Sequence, residues 1–242
     1  MSFPLFVKAA ALSGALAIPA TAAAMPAFTF GTDDLPDDGQ LVVFVTPGDD
    51  LDGLAADLDA STGGRLSDAI EVMEFAAEFG ETLTLPGVAP FRQVVVIGAG
   101  DEALSARQLH DLGGHAAMAA DDDDGLAIVV DAMNSAVEAA GAHVALGYAL
   151  GDYRFTAYKT VEEIADDGEV VVLGGGRADR RVFESDLAHL AEGITLARDL
   201  GSEPGNTLWP QRFVEHVQAA FEGVDNVTIT VLDADGIRAR GM

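Results

Sequence analysis

Apolar residues follow two rhythms along this chain: compact runs, and stretches where they return every third or fourth position. Residues 25–30, with Phe28 and Phe30, read as an opening strand. Residues 41–46 form a β-rich run closed by Pro47-Gly48. Residues 51–58 and 66–75 carry helical spacing, the second with Ile70, Met73, Phe75 and Ala76 on its apolar side. Residues 82–85 alternate as a short strand. Residues 92–98, built on Val94-Val-Val-Ile97, are continuously apolar, as in a central strand covered on both faces. A helix over 105–120 follows, with Ser105 as its N-cap. Then come a strand over 126–131, a helix over 132–150, and a strand over 169–173 ended by Gly174-Gly-Gly176. Strands separated by helices of this length predict an α/β fold: a mainly parallel mixed sheet flanked by helices.

After residues 177–181 the pattern changes. Leu187, Leu190, Ile194, Ala197 and Leu200 mark one long helix. Gly201 sits where a C-cap belongs, Pro204 blocks continuation, and Asn206 supports a tight turn. Pro210 suits the first turn of a new helix carrying Phe213 and Val214. A strand over 227–232 and a helix start near Asp235 complete the pattern. This last unit is too short to close a sheet of its own. It is either the incomplete start of a second α/β domain or an extra strand for the first sheet. The former predicts exposed apolar surface around 208–242.

Composition narrows the classes. With 242 residues, 49% of them apolar, the chain has enough to bury a full core. The net charge is −27, and Lys8 and Lys159 are the two lysines. Such a surface repels phosphate backbones and anionic lipid, so nucleic-acid and membrane partners are disfavoured; solubility is the simplest reason for the charge. Without cysteine there is no disulfide scaffold, thiolate metal site or cysteine nucleophile. Residues 1–24 stand apart: Lys8 alone is charged, 9–18 are largely apolar, and Ala22-Ala-Ala24 has the small residues of a cleavage site. The segment reads as a signal peptide or as an upstream extension before Met25, and is too short for a membrane span.

Candidate chemistry is sparse. Gly98-Ala-Gly100-Asp-Glu-Ala103 follows a strand and precedes a helix, the position of a dinucleotide-binding turn, but Asp101 and Glu102 would confront a pyrophosphate. A structural turn is the better reading. The acidic run 121–124 lacks calcium-loop spacing and reads as a solvated loop. His110, His115, His143, His189 and His216 form no H-E-x-x-H, and His110 and His115 lie on different faces of their helix. No nucleophile elbow or phosphate-binding P-loop occurs. Lys159, beside Tyr158 and Phe155, reads as a snorkelling side chain.

Two longer strings carry a resemblance. Leu196-Ala-Arg-Asp-Leu-Gly-Ser-Glu-Pro-Gly-Asn-Thr-Leu-Trp-Pro210 is similar to the segment joining the two domains of the leucyl aminopeptidases, the cytosol aminopeptidase family (peptidase family M17). It departs from that pattern at Ser202, where the family usually has Asn, and at Trp209, where it usually has Thr. Gly151-Asp-Tyr153-Arg-Phe155-Thr-Ala-Tyr158-Lys159 resembles the family's G-x-Y-x-F-x-x-Y-K. Residues 233–242 resemble the passage before the first core strand of its catalytic domain.

The resemblance implies a macro-like N-terminal domain over 25–180, then a linker helix and the truncated start of the peptidase domain over 181–242. It implies a cytoplasmic homo-hexamer when full-length, or an exported protein if 1–24 is a signal peptide. The full-length family member is a metallo-exopeptidase that removes N-terminal residues from peptides with two divalent metals, Mn or Zn. Those metals are held after the position of Met242, so this chain is expected to have no catalytic, cofactor-binding or metal-binding residue and to be inactive alone. A standalone macro-like ligand-binding module is the alternative, and a non-functional truncated product a third reading.

Overall fold

A computed structural model describes residues 25–32, 34–48, 51–121, 125–158 and 168–242. The leader 1–24, Asp122 to Asp124 and Lys159 lie outside the described residues.

Six strands form one sheet in the order β1-β6-β5-β2-β4-β3. They are β1 (Ala27–Thr32), β2 (Gln40–Val45), β3 (Thr82–Pro86), β4 (Gln93–Gly98), β5 (Leu126–Val129) and β6 (Glu169–Leu173). All neighbours pair in parallel except β3, which runs antiparallel on the β4 edge. Pro86 is tolerated there because its missing N–H falls on an edge strand.

Side-chain alternation divides the core into two layers. Val42, Phe44, Val95, Ile97, Ile128 and Val172 point to one face, under α3 (Ala106–Ala119) and α4 (Ala140–Asp152). Leu41, Val43, Val94, Val96 and Val129 point to the other, under α1 (Gly53–Ser61) and α2 (Arg65–Val72). Burial on both sides explains why these strands read as continuous apolar runs. Ser105 caps α3 as expected, in a reciprocal capping box with Gln108.

Beyond β6 a single helical rod runs from α5 (Arg177–Val182) through a π-helical turn (Phe183–Leu187) into α6 (Ala188–Ser202). Phe183 anchors it, packing its ring 4.9 Å from Phe28 and 5.5 Å from Phe30. The Arg180 guanidinium donates to the Phe30 carbonyl at 2.8 Å. Two short helices follow, α7 (Pro210–Ala220) and α8 (Ala234–Ala239).

Several expectations need correction. The second helix stops at Val72, and Glu74 turns the chain at φ 51°, so Phe75 is buried from a loop while Met73 is 61% exposed. Residues 132–139 are not helical despite their alanines. Asn134 and Ser135 instead hold Leu104, through Leu104 N–H to the Asn134 carbonyl (2.8 Å) and Ser135 Oγ to the Leu104 carbonyl (3.0 Å). Tertiary pairing there outweighs helix propensity. Gly201 lies inside the last turn of α6, whose C-cap is Glu203. Residues 227–232 form no strand and add nothing to the sheet.

Candidate functional site

In the turn at 98–103 the glycine amides face the protein interior. The Gly98, Ala99 and Gly100 amides donate to the carbonyls of Glu81 (2.8 Å), Val45 (2.8 Å) and Ala77 (3.2 Å). With these three amides engaged inside the protein, the glycine pattern shapes a strand-to-helix turn.

A parallel sheet also offers a crevice where strand order reverses, here at the carboxyl ends of β2 and β5. Asp131, just past β5, stands there, exposed to solvent on one side. Its Oδ2 accepts from the Leu54 amide at 2.8 Å, so the chain's own carboxylate occupies the N-terminus of α1. Gly53 and Gly174 press close enough that a Cβ on either would collide with Asp131. At the opposite, amino ends of the strands, an open cavity of about 380 Å³ is lined by Asp38, Gly39, Gly87, Pro90, Phe91 and Arg92. The Arg92 guanidinium there lies 3.5 Å from the Asp121 carboxylate, both well exposed.

The histidines are dispersed but for one pair. His110 Nε2 on α3 and His143 Nδ1 on α4 stand 2.9 Å apart. Burial pushes both imidazoles below their ordinary value. His143 adds to this for His110; Asp111 and Asp179 oppose it for His110 and His143 respectively. The sequence could not reveal this pair, because its members lie 33 residues apart on different helices. Among the described residues no group of three or more His, Asp or Glu is placed to hold a metal ion. The described residues bring no such group together at the His110–His143 pair either.

What the structure does assemble is the junction of the two family-like strings. Tyr153, at the C-cap of α4, donates its phenol to Asp199 Oδ1 at 2.7 Å. Arg198 stacks over the Tyr153 ring, 5.3 Å from its centroid, and its Nη1 donates to the Leu150 carbonyl at 2.6 Å. Five residues on, Tyr158 donates to Glu203 Oε2, and the Thr207 hydroxyl reaches the same oxygen at 2.8 Å. These two hydroxyls hold the Glu203 carboxyl below the usual range, and that carboxylate raises the Tyr158 phenol. The Tyr153 phenol is raised first by burial and then by Asp199, with Ser202 opposing. Trp209, at the N-cap of α7, carries Arg212 over its ring at 5.7 Å instead of a capping hydroxyl. Beyond it, Phe213, Phe221, Val224, Val231 and Ile237 are exposed. Among the described residues, no helix is long and apolar enough to cross a membrane.

Fold and junction together define a layered α/β domain whose exit is fastened to the helices that follow it. Residues 42–162 match the N-terminal domain of the cytosol aminopeptidase family, and the chain belongs to that family. It is 31% identical over 204 residues to a probable cytosol aminopeptidase of Rhizobium etli, covering 80% of this chain and 40% of that protein. A probable cytosol aminopeptidase of Geobacter sulfurreducens is also 31% identical, over 79% of this chain and 40% of its own. Among solved structures, a mutant tomato leucine aminopeptidase shares the fold with TM-score 0.76 at 21% identity, over 91% of this chain and 47% of that one. The bottromycin maturation enzyme BotP in complex with Mn does so with TM-score 0.57 at 20% identity, over 75% of this chain and 36% of its own. The chain thus spans about two fifths of the length of the curated relatives it matches.

Proposed function

We propose that this chain is the N-terminal part of a leucyl aminopeptidase-type metallo-exopeptidase, which releases N-terminal residues from peptides. The observation that carries this reading is the junction. Two separate strings that resemble the family converge through Tyr153–Asp199 and Tyr158–Glu203 at the place where a following domain would be attached. The two divalent metals, Mn or Zn, belong in this reading to the family's C-terminal portion, where they would activate water and polarise the peptide carbonyl. This chain contributes the covered sheet and the fastened junction. Residues 25–180 form the N-terminal domain and 181–242 the approach to the catalytic one. A cytoplasmic homo-hexamer is the assembly this reading expects.

The test has two arms. The purified 242-residue chain, given a leucine amide substrate and Mn²⁺ or Zn²⁺, should show no turnover above a metal-only blank. A chimera joining it to the C-terminal part of the Rhizobium etli relative, spliced within 196–213, should show metal-dependent turnover. Turnover by the chain alone, or none by a folded chimera, overturns the proposal.

A further inference from the structure

We propose that Tyr153 and Tyr158 are the two arms of a latch that fixes the angle between α4 and the α6–α7 segment, the Tyr158 arm being the one that opens. Asp199 and Glu203 lie four residues apart, and so on one face at the end of α6. They receive two phenols presented five residues apart by the segment after α4. One helix end is thereby held at two points by one stretch of chain.

The arms differ in strength. The inner arm is half-buried and reinforced by the Arg198 stack, the bond from Arg198 to Leu150, and Ser202 against the phenol. In the outer arm Tyr158 is 55% exposed, and a single carboxylate oxygen serves both the Tyr158 and Thr207 hydroxyls. Water competes readily for such exposed bonds. The carboxylate also organises the turn from which α7 departs. Thr207 Oγ1 lies 2.8 Å from the Pro204 carbonyl, which the Thr207 and Leu208 amides reach at 2.9 Å. From α7, Arg212 and His216 face the Glu203 charge. Releasing Tyr158 therefore loosens the turn at 204–208 and the start of α7, while the inner arm keeps α6 in place.

The chain carries its own reporter, since Trp209 is its single tryptophan and sits directly after the turn. The test uses the full chain with Tyr158→Phe, Glu203→Ala and the double variant, and needs no enzymatic activity, so it stands or falls apart from the aminopeptidase reading. Amide exchange is followed at Thr207 and Leu208, with Val95 and Ile128 as core references, alongside acrylamide quenching of Trp209. Tyr158→Phe should speed exchange at Thr207 and Leu208 about fivefold, the effect of one net hydrogen bond on an opening equilibrium; Glu203→Ala, which removes the bonds to both hydroxyls, should speed it at least as much, and each should increase quenching. Core exchange should not change. The double variant should open little further than Glu203→Ala, because both changes remove the same bond. Exchange at Thr207 and Leu208 that stays at the wild-type rate in Tyr158→Phe overturns the latch. So does a double variant equal to the product of the singles, or an equal rise at Val95 and Ile128.

Discussion

Replacing Gly113 with alanine should separate the two helices that cover one face of the sheet, while the same change at the neighbouring Gly114 should stabilise them. The geometry sets both signs. A Cβ on Gly113 would stand 2.1 Å from the Val144 carbonyl oxygen and 2.7 Å from the Tyr148 nitrogen. From the other side, a Cβ on Gly147 would stand 2.0 Å from the His110 carbonyl oxygen, so the helices touch backbone to backbone. Ordinary Cβ contacts begin at 3.4 Å, so α3 and α4 must part by about 1.3 Å. The obstructing atoms are main chain and cannot rotate away. Overpacking of this kind sits at the upper end of its usual range, about 3 kcal/mol. The better helix propensity of alanine returns nearly 1 kcal/mol, leaving a net loss of about 2 kcal/mol. At Gly114 the added carbon meets only the Gly147 oxygen at 3.9 Å, so the propensity gain of about 0.5–1 kcal/mol survives. Urea unfolding followed by far-ultraviolet circular dichroism reads the difference. With a slope of about 2 kcal/mol per molar, the Gly113→Ala midpoint should fall by about 1 M and the Gly114→Ala midpoint rise by roughly 0.3–0.5 M. Because His110 and His143 meet at the same crossing, their imidazole resonances should move in Gly113→Ala and stay in Gly114→Ala. Midpoints that shift in the same direction, or a Gly113→Ala midpoint at or above wild type, would refute the reasoning.

The His110–His143 pair should make stability fall in mild acid. Both imidazoles are depressed in the folded chain, so below about pH 6.5 the unfolded chain takes up protons that the folded chain resists, until the folded imidazoles titrate. The urea midpoint should therefore drop between about pH 7.5 and pH 5. A His110→Gln/His143→Gln variant should flatten that profile, and an unchanged profile would count against burial as the cause. The depressed carboxylates Asp59 and Glu203 act in a separate, lower window, losing their contribution as pH falls below their ordinary values of 3.8 and 4.5. Asp131→Ala should cost about 1 kcal/mol by leaving the Leu54 amide uncapped, because the N-cap residue Asp52 makes no side-chain capping bond. Asp131→Asn keeps an oxygen in place and should hold most of that stability in the same urea titration. Equal losses in the two variants would mean the carboxylate acts by charge and not as a cap.

The sheet was legible because its interior strands are buried on both faces, which leaves unbroken apolar runs at 41–46 and 94–97 that turn residues close cleanly. The capping box at Ser105 was legible because it is local. What escaped depends on residues far apart in sequence. Tyr153 and Tyr158 stood out as parts of a pattern, but their carboxylates lie 46 and 45 residues away, and nothing in either string names the other. His110 could be separated from His115 by helix geometry, yet its actual neighbour is on another helix. The alanines of 132–139 spoke for a helix, and only the contact with Leu104 speaks against it. Residues 227–232 are the most instructive case. Val227, Ile229 and Val231 alternate with Thr228 and Thr230, a strand pattern by any local measure. A strand, however, exists only in a pair, because its stability comes from ladder bonds and cross-strand contacts. No described residue of this chain pairs with them, and all three apolar side chains are exposed. The alternation there marks a surface suited to being covered, which is the same property seen in Trp209 and Phe213 at the start of that segment.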